Sequence, residues 1–231
     1  TGLDSSASDL VGLLKALHKL KFKKNSPRGL AELAFQIETE KVKNPVGKQD
    51  QYLAAFGGFV CMDIEKTGDV KVSKPNFSLE LAVELEKKAL MFYTFKRHDT
   101  GKILKEQSEQ VAVPGGDVEK AMLKIKDIGR QLLSEFETGK IKNFGKLMHE
   151  HWITKKTISG KISDIWLDGI YNEALLKGAE GGKIMGSGGG GCFLFFVPKN
   201  QAKFILEMEK LGLRYVRYNF WQTGTEIIFE S

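Results

Sequence analysis

The chain has 231 residues, 42% apolar and 28% charged, which suits one large domain or two small ones with a core that needs no disulfide or metal staple. Its 35 Lys and Arg outnumber 29 Asp and Glu for a net charge of +6. The two signs are interleaved, with no basic stripe or aromatic–basic motif, which argues against nucleic acid and suits a small anionic ligand.

Residues 1–20 open with small polar side chains and turn helical, with Leu10, Leu13, Leu14 and Leu17 at helix spacing. Ser26-Pro27 starts a second helix expected to reach Lys43, before Asn44-Pro45. A short helix over 50–56 ends at Gly57-Gly58, and strands over 59–64 and 70–73 flank a Gly68-Asp69 turn. A polar stretch around Pro75 suggests a boundary, giving domains 1–78 and 79–231. Beyond it come a strand over 89–95, helices over 101–111, 118–138, 143–159 and 163–177, a strand over 191–197, a helix over 200–211, and strands over 215–220 and 226–229. Strands interrupted by helices make this an α+β chain.

Cys61 and Cys192 both sit in apolar runs and read as reduced core residues of a cytoplasmic protein. The uncharged run 192–197 is far short of the roughly 20 residues a membrane helix needs. No stretch reads as a signal peptide, so no membrane partner is expected. Of the four histidines, His149 and His151 are two apart on an expected helix, poor geometry for a metal.

Three segments carry residue choices that structure alone explains poorly. Gly2, Leu3, Asp4, Ser5, Ser6, Ala7 and Ser8 run straight into a helix, and unpaired N–H groups at a helix start form a natural phosphate site. The alternative is that Ser6 is a helix cap with Asp9 reaching back to it. Glu38 falls in line with Leu30 and Ala34 on the apolar stripe of its helix, where a carboxylate needs a divalent metal or a nearby Lys. Asp50 is either a cap or, with Lys48 near it, a group that orients a substrate hydroxyl. The third segment, Gly181 to Gly191, places bare backbone against an apolar strand; it is either a tether or a place of close backbone approach.

Taken together and in this order, the three segments resemble the GHMP kinases. Residues 2–8 are similar to the family's Gly-Leu-Gly-Ser-Ser-Ser/Ala-Ala/Ser motif, and Lys183 to Gly191 to its Lys-x-x-Gly-Ala-Gly-Gly-Gly-Gly motif. Within the family the chain looks most like the bacterial D-glycero-D-manno-heptose phosphate kinases, through Gly47-Lys48-Gln49-Asp50-Gln51-Tyr52, Phe92-Tyr93-Thr94, Ile103 to Gln107, Asn143-Phe144-Gly145, Leu147 to Glu150 with Trp152, and Ile227-Ile228-Phe229. The resemblance implies a two-domain fold: an incomplete N-terminal nucleotide domain, since a first motif that relatives carry has no counterpart here, and a ferredoxin-like C-terminal domain.

By the same resemblance, ATP and Mg²⁺ are the cofactors. Ser6 and Glu38 would hold the metal, residues 2–8 would wrap the triphosphate, and Gly186, Ser187, Gly188, Gly189 and Gly190 would line the site. Asp50 with Lys48 would act on the attacking hydroxyl of a sugar or sugar phosphate, most like the anomeric hydroxyl of a heptose 7-phosphate. A homodimer is left open. Asp4 stands where the family has glycine and Ser187 where it has alanine, and Asp4 is the feature that favours an inactive sugar- or nucleotide-binding homologue.

Overall fold

The computed structural model describes residues 5–96 and 115–228. Helix α1, Ser5–Leu20, buries Ala7, Val11 and Leu14, spaced four and three apart, while Leu13 and Leu17 stay exposed. Helix α2, Pro27–Gln36, starts where the Ser26 hydroxyl accepts from Gly29 N at 3.1 Å, with Pro27 at a position where its missing N–H is not needed. Its apolar face is Leu30, Ala31 and Ala34.

A single helix to Lys43 was expected, but α2 gives way to a π turn over Ile37–Lys41, with Val42 N bonded to Ile37 O at 3.0 Å. Helix α3, Gln49–Phe56, stops at Gly57, whose φ is +62°. A Cβ there would fall 2.1 Å from the Thr223 carbonyl, so both backbone hand and close approach demand glycine. Strands β1, Cys61–Ile64, and β2, Val70–Ser73, form an antiparallel hairpin.

Residues up to 75 together with 220–228 cluster as one compact unit, and residues from 76 to 219 as a second. The reason is local: Thr225 bonds Ala54 O through its N at 3.0 Å and its hydroxyl at 2.9 Å, and Gly58 N bonds Trp221 O at 2.8 Å. Val11, Leu14, Leu30, Ala31, Ala34, Tyr52, Ala55 and Val70 make this unit's core.

The second unit begins with α4, Leu79–Lys88, capped by Ser78, whose hydroxyl accepts from Leu81 N at 3.2 Å. Strand β3, Ala89–Tyr93, follows, then α5, Asp117–Glu137, α6, Phe144–Lys156, and α7, Ile165–Leu176. Strands β4, Gly181–Ile184, and β5, Cys192–Phe196, helix α8, Gln201–Lys210, and strand β6, Arg214–Val216, complete it. The sheet order is β4-β5-β3-β6 with every pair antiparallel, the ferredoxin-like arrangement the resemblance implied. Phe92, Trp152, Tyr171, Phe193, Phe195 and Phe204, each fully or almost fully buried, fill the space against the sheet.

Helix α4 and strand β4 were not expected. Residues 76–82 read as a polar linker, yet Leu81, Ala82 and Leu85 form a buried stripe behind the Ser78 cap. The expected strand over 226–229 is absent at 226–228, which follow directly on Thr225 and its bonds to Ala54 O. The expected helix over 101–111 lies outside the described residues.

Candidate active site

In the first unit, Glu32 fixes the start of α3. Lys48 Nζ donates to both Glu32 carboxylate oxygens, at 2.8 and 2.9 Å, and to Gly68 O at 2.8 Å, with its ammonium 5.2 Å from the Phe35 ring centre. Tyr52 Oη donates to the same carboxylate. Burial works against the charge on Glu32, but the bonds from Lys48 and Tyr52 overcome it and hold its carboxyl below the usual range. Burial first, and then the Glu32 bond, pushes the Tyr52 hydroxyl up to about 12.

This clamp positions two neighbours. Lys48 is the residue that caps α3, so Asp50 is not a cap; it lies in the first turn, half-buried, where the helix dipole favours a carboxylate. Gln51, 1% exposed, donates from Nε2 to Glu38 Oε2. Glu38, 5% exposed in the π turn, has among the described residues no Lys or Arg partner, which removes the ion-pair alternative. Gln51 Oε1 is buried with no hydrogen-bond partner among the described residues. A buried carboxylate met by a neutral amide, beside an unsatisfied carbonyl oxygen, is a donor set that fits a hard cation such as Mg²⁺. π turns recur at functional sites because the inserted residue re-aims a side chain.

Residues 2–4 of the serine-rich segment lie outside the described residues. Helix α1 already includes Ser5, so Ser6 sits inside the first turn and is not the cap. Ser6 and Ser8 are exposed and Ala7 is buried at 3%. Helices α1, α2 and α3 pack on one another around a shared core, so the elements carrying Ser6, Glu38 and Asp50 belong to one unit. Among the described residues no group of three or more His, Cys, Asp or Glu side chains is placed to hold a metal.

The glycine segment belongs to the second unit and is packed, not a tether. Gly188, Gly189, Gly190 and Gly191 all have positive φ. Gly189 N bonds Ile162 O at 2.7 Å, Gly191 N bonds Lys96 O at 3.0 Å, and Thr94 Oγ1 donates to Gly191 O at 2.8 Å. A Cβ on Gly188 would lie 2.9 Å from Ile162 Cγ2 and 3.1 Å from its backbone.

The GHMP kinases N terminal domain family matches residues 1–58, and the GHMP kinases C terminal family matches residues 132–210. This chain belongs to the GHMP kinase family. It is 29% identical, over 98% of its length and 66% of the relative's, to a D-glycero-alpha-D-manno-heptose 7-phosphate kinase of Campylobacter jejuni. It is 26% identical, over 88% of its length and 63% of the relative's, to a galactokinase of Pyrococcus furiosus. A crystal structure of a D-glycero-D-manno-heptose 1-phosphate kinase from Bacteroides thetaiotaomicron superposes with a TM-score of 0.75 at 24% identity, over 97% of this chain and 62% of the other, and shows the shared fold. The chain thus spans just under two thirds of the length of the curated relatives it matches.

Within this chain, sequence reasoning missed Glu32 and Gln51, whose roles rest on contacts 16, 20 and 13 residues away. It also missed a cationic group on α6 and β4. His151 is driven down to about 3, first by burial and then by the charges of Lys183 and Lys155, and burial lowers Lys183 to about 8. His149 Nδ1 pairs with Tyr171 Oη at 2.9 Å, so the two histidines do separate things. No described helix is long and apolar enough to cross a membrane.

Proposed function

We propose that this chain carries the catalytic helices of an ATP-dependent kinase that transfers the γ-phosphoryl group to a hydroxyl of a sugar or sugar phosphate. The acceptor of first choice is the anomeric hydroxyl of D-glycero-D-manno-heptose 7-phosphate, in line with the likeness to the Campylobacter jejuni enzyme. The observation that carries this reading is buried Glu38, met by the amide of Gln51 rather than by a cation, one residue along α3 from Asp50.

In this reading Glu38 and Ser6 hold Mg²⁺, and residues 2–8 present α1's free N–H groups to the triphosphate. The metal, when bound, supplies neutralisation of charge on the β- and γ-phosphate oxygens. Asp50 accepts the proton of the attacking hydroxyl as its oxygen bonds to the γ-phosphorus; the bond to the β–γ bridging oxygen breaks, and ADP carries off that electron pair. Lys48, expected beside Asp50 as a second catalytic group, has its ammonium on Glu32 and Gly68 O, so its role here is to hold the start of α3.

A second reading, an inactive sugar- or nucleotide-binding homologue, is favoured by Asp4, a carboxylate in the segment assigned to the triphosphate. Incubating the full-length protein with Mg-ATP and a panel of hexoses, heptose phosphates and mevalonate, and following ADP release, separates the two. Turnover on a sugar or sugar phosphate supports the kinase, turnover on galactose alone moves it to the galactokinase-like branch, and ligand binding with no turnover favours the inactive form.

A further inference from the structure

We propose that Gln51 is the positioning residue of the cation site: its amide holds one carboxylate oxygen of Glu38 so that the other is presented to the divalent ion, and its neutrality leaves the carboxylate's charge for that ion. This rests on the kinase reading, in which Glu38 holds Mg²⁺, and adds to that site a residue that acts through Glu38 rather than on the nucleotide.

The pair joins two pieces of backbone that are fixed independently. Glu38 lies in the π turn over Ile37–Lys41, where Asn44 N bonds Glu38 O at 2.8 Å and Val42 N bonds Ile37 O at 3.0 Å. Gln51 lies in the first turn of α3, between Lys48 and Tyr52, both of which are tied to the Glu32 carboxylate. Residues 48 and 52 are four apart and share a face of the helix, so the turn that carries Gln51 cannot rotate without breaking that clamp. From this fixed turn the buried Gln51 side chain reaches Glu38, its Nε2 donating to Oε2. The other oxygen of Glu38, Oε1, accepts no hydrogen bond among the described residues and is not sealed from solvent. One oxygen is held and the other is open to a cation, the arrangement in which an outer partner orients a ligating carboxylate.

Packing alone does not account for this choice of residue. Gln51 Oε1 is buried with no partner among the described residues, and a buried acceptor left unmet costs about 1–3 kcal/mol. Methionine would fill a similar space without that cost. Lysine would also reach Glu38 as a donor, but its ammonium would neutralise the carboxylate and take the place of the metal ion. Among side chains of this length, the amide gives Glu38 a hydrogen bond and no charge.

The test uses the full-length protein and titration calorimetry with ADP, in Mn²⁺ and again in EDTA, so that neither acceptor nor turnover is needed. Wild type should bind ADP more tightly in Mn²⁺, and Glu38→Gln should abolish most of that gain. Gln51→Met should also remove most of it, in line with the roughly 10–100-fold loss of metal affinity when the partner of a ligating group is removed, and should leave ADP affinity in EDTA within about twofold of wild type. Gln51→Lys separates positioning from a structural role, because it restores a donor but adds a charge. Its unfolding midpoint in EDTA should be at or above that of Gln51→Met, while the Mn²⁺ gain stays lost. A full Mn²⁺ gain in Gln51→Met, a gain restored by Gln51→Lys, or an equal loss of ADP affinity in Mn²⁺ and EDTA overturns the role of Gln51 and leaves the kinase reading standing. No Mn²⁺ gain in wild type overturns the metal at Glu38 and this role with it. Should Gln51→Met fail to fold, Gln51→Asn, an amide too short to reach Glu38, carries the same measurement.

Discussion

Glu32→Gln is the substitution that most directly tests how α3 is held. The carboxylate takes two bonds from Lys48 and one from Tyr52, and its side chain and that of Lys48 are 31% and 17% exposed. Gln keeps the volume but offers one acceptor oxygen and removes the charge, so Lys48 is left with Gly68 O and the face of Phe35. Breaking a fully buried pair costs about 3–5 kcal/mol, and partial exposure here scales that down to about 2 kcal/mol. For a chain of this size that loss lowers the unfolding midpoint by roughly 4–8 °C. Thermal unfolding of the full-length protein at pH 7 reads this, and a double-mutant cycle with Lys48→Met should recover most of the loss as coupling. Because folding lowers the Glu32 pKa, its contribution is complete above the ordinary value of 4.5 and is lost as pH falls through the depressed one. Wild type and Glu32→Gln should therefore converge in acid. A midpoint within about 1 °C of wild type at pH 7, or a difference that grows on acidification, would refute the clamp.

His151 gives an acid-lability of opposite origin. Its folded value near 3 lies below the unfolded value of 6.5, so between them the unfolded chain binds the extra proton and stability falls on acidification from pH 6.5, by up to about 1.4 kcal/mol per pH unit. His151→Phe should flatten that part of the urea-unfolding profile, and an unchanged slope would contradict the burial of this ring. Gly181→Ala puts a methyl group into the Gly145 carbonyl, and overpacking against backbone should cost about 1–3 kcal/mol, read by urea unfolding. Unchanged stability would show that β4 and α6 are further apart than described. Asp4→Gly should tighten ATP binding, read by calorimetry, by removing a carboxylate from the triphosphate's segment; weaker or equal binding would show that Asp4 is harmless there.

The elements most legible in the sequence were those with both a cap and a period, such as α2 behind Ser26-Pro27 and the β1–β2 hairpin around Gly68. Helix α4 carried the same two marks, Ser78 and Leu81-Ala82-Leu85, but Pro75 and the charged residues between them read as a linker. The π turn was not legible, because an inserted residue leaves the apolar stripe in register up to Ile37. Glu38 stood out since a carboxylate on an apolar stripe is costly, whereas Gln51 did not, since a neutral amide next to Asp50 breaks no pattern. Lys183 was visible only as a motif letter; its lack of a partner is a property of the packed strand and helix, which no spacing encodes.

The account stands on Asp50 taking a proton from the acceptor hydroxyl beside a metal held at Glu38. Its most direct test is kcat of Asp50→Asn in the full-length protein, on whichever acceptor the wild type turns over, with ATP affinity measured alongside. The account predicts a fall of about 10²–10⁴-fold in kcat with ATP binding retained. A variant that keeps kcat within about threefold of wild type would contradict it, because no general base contributes so little.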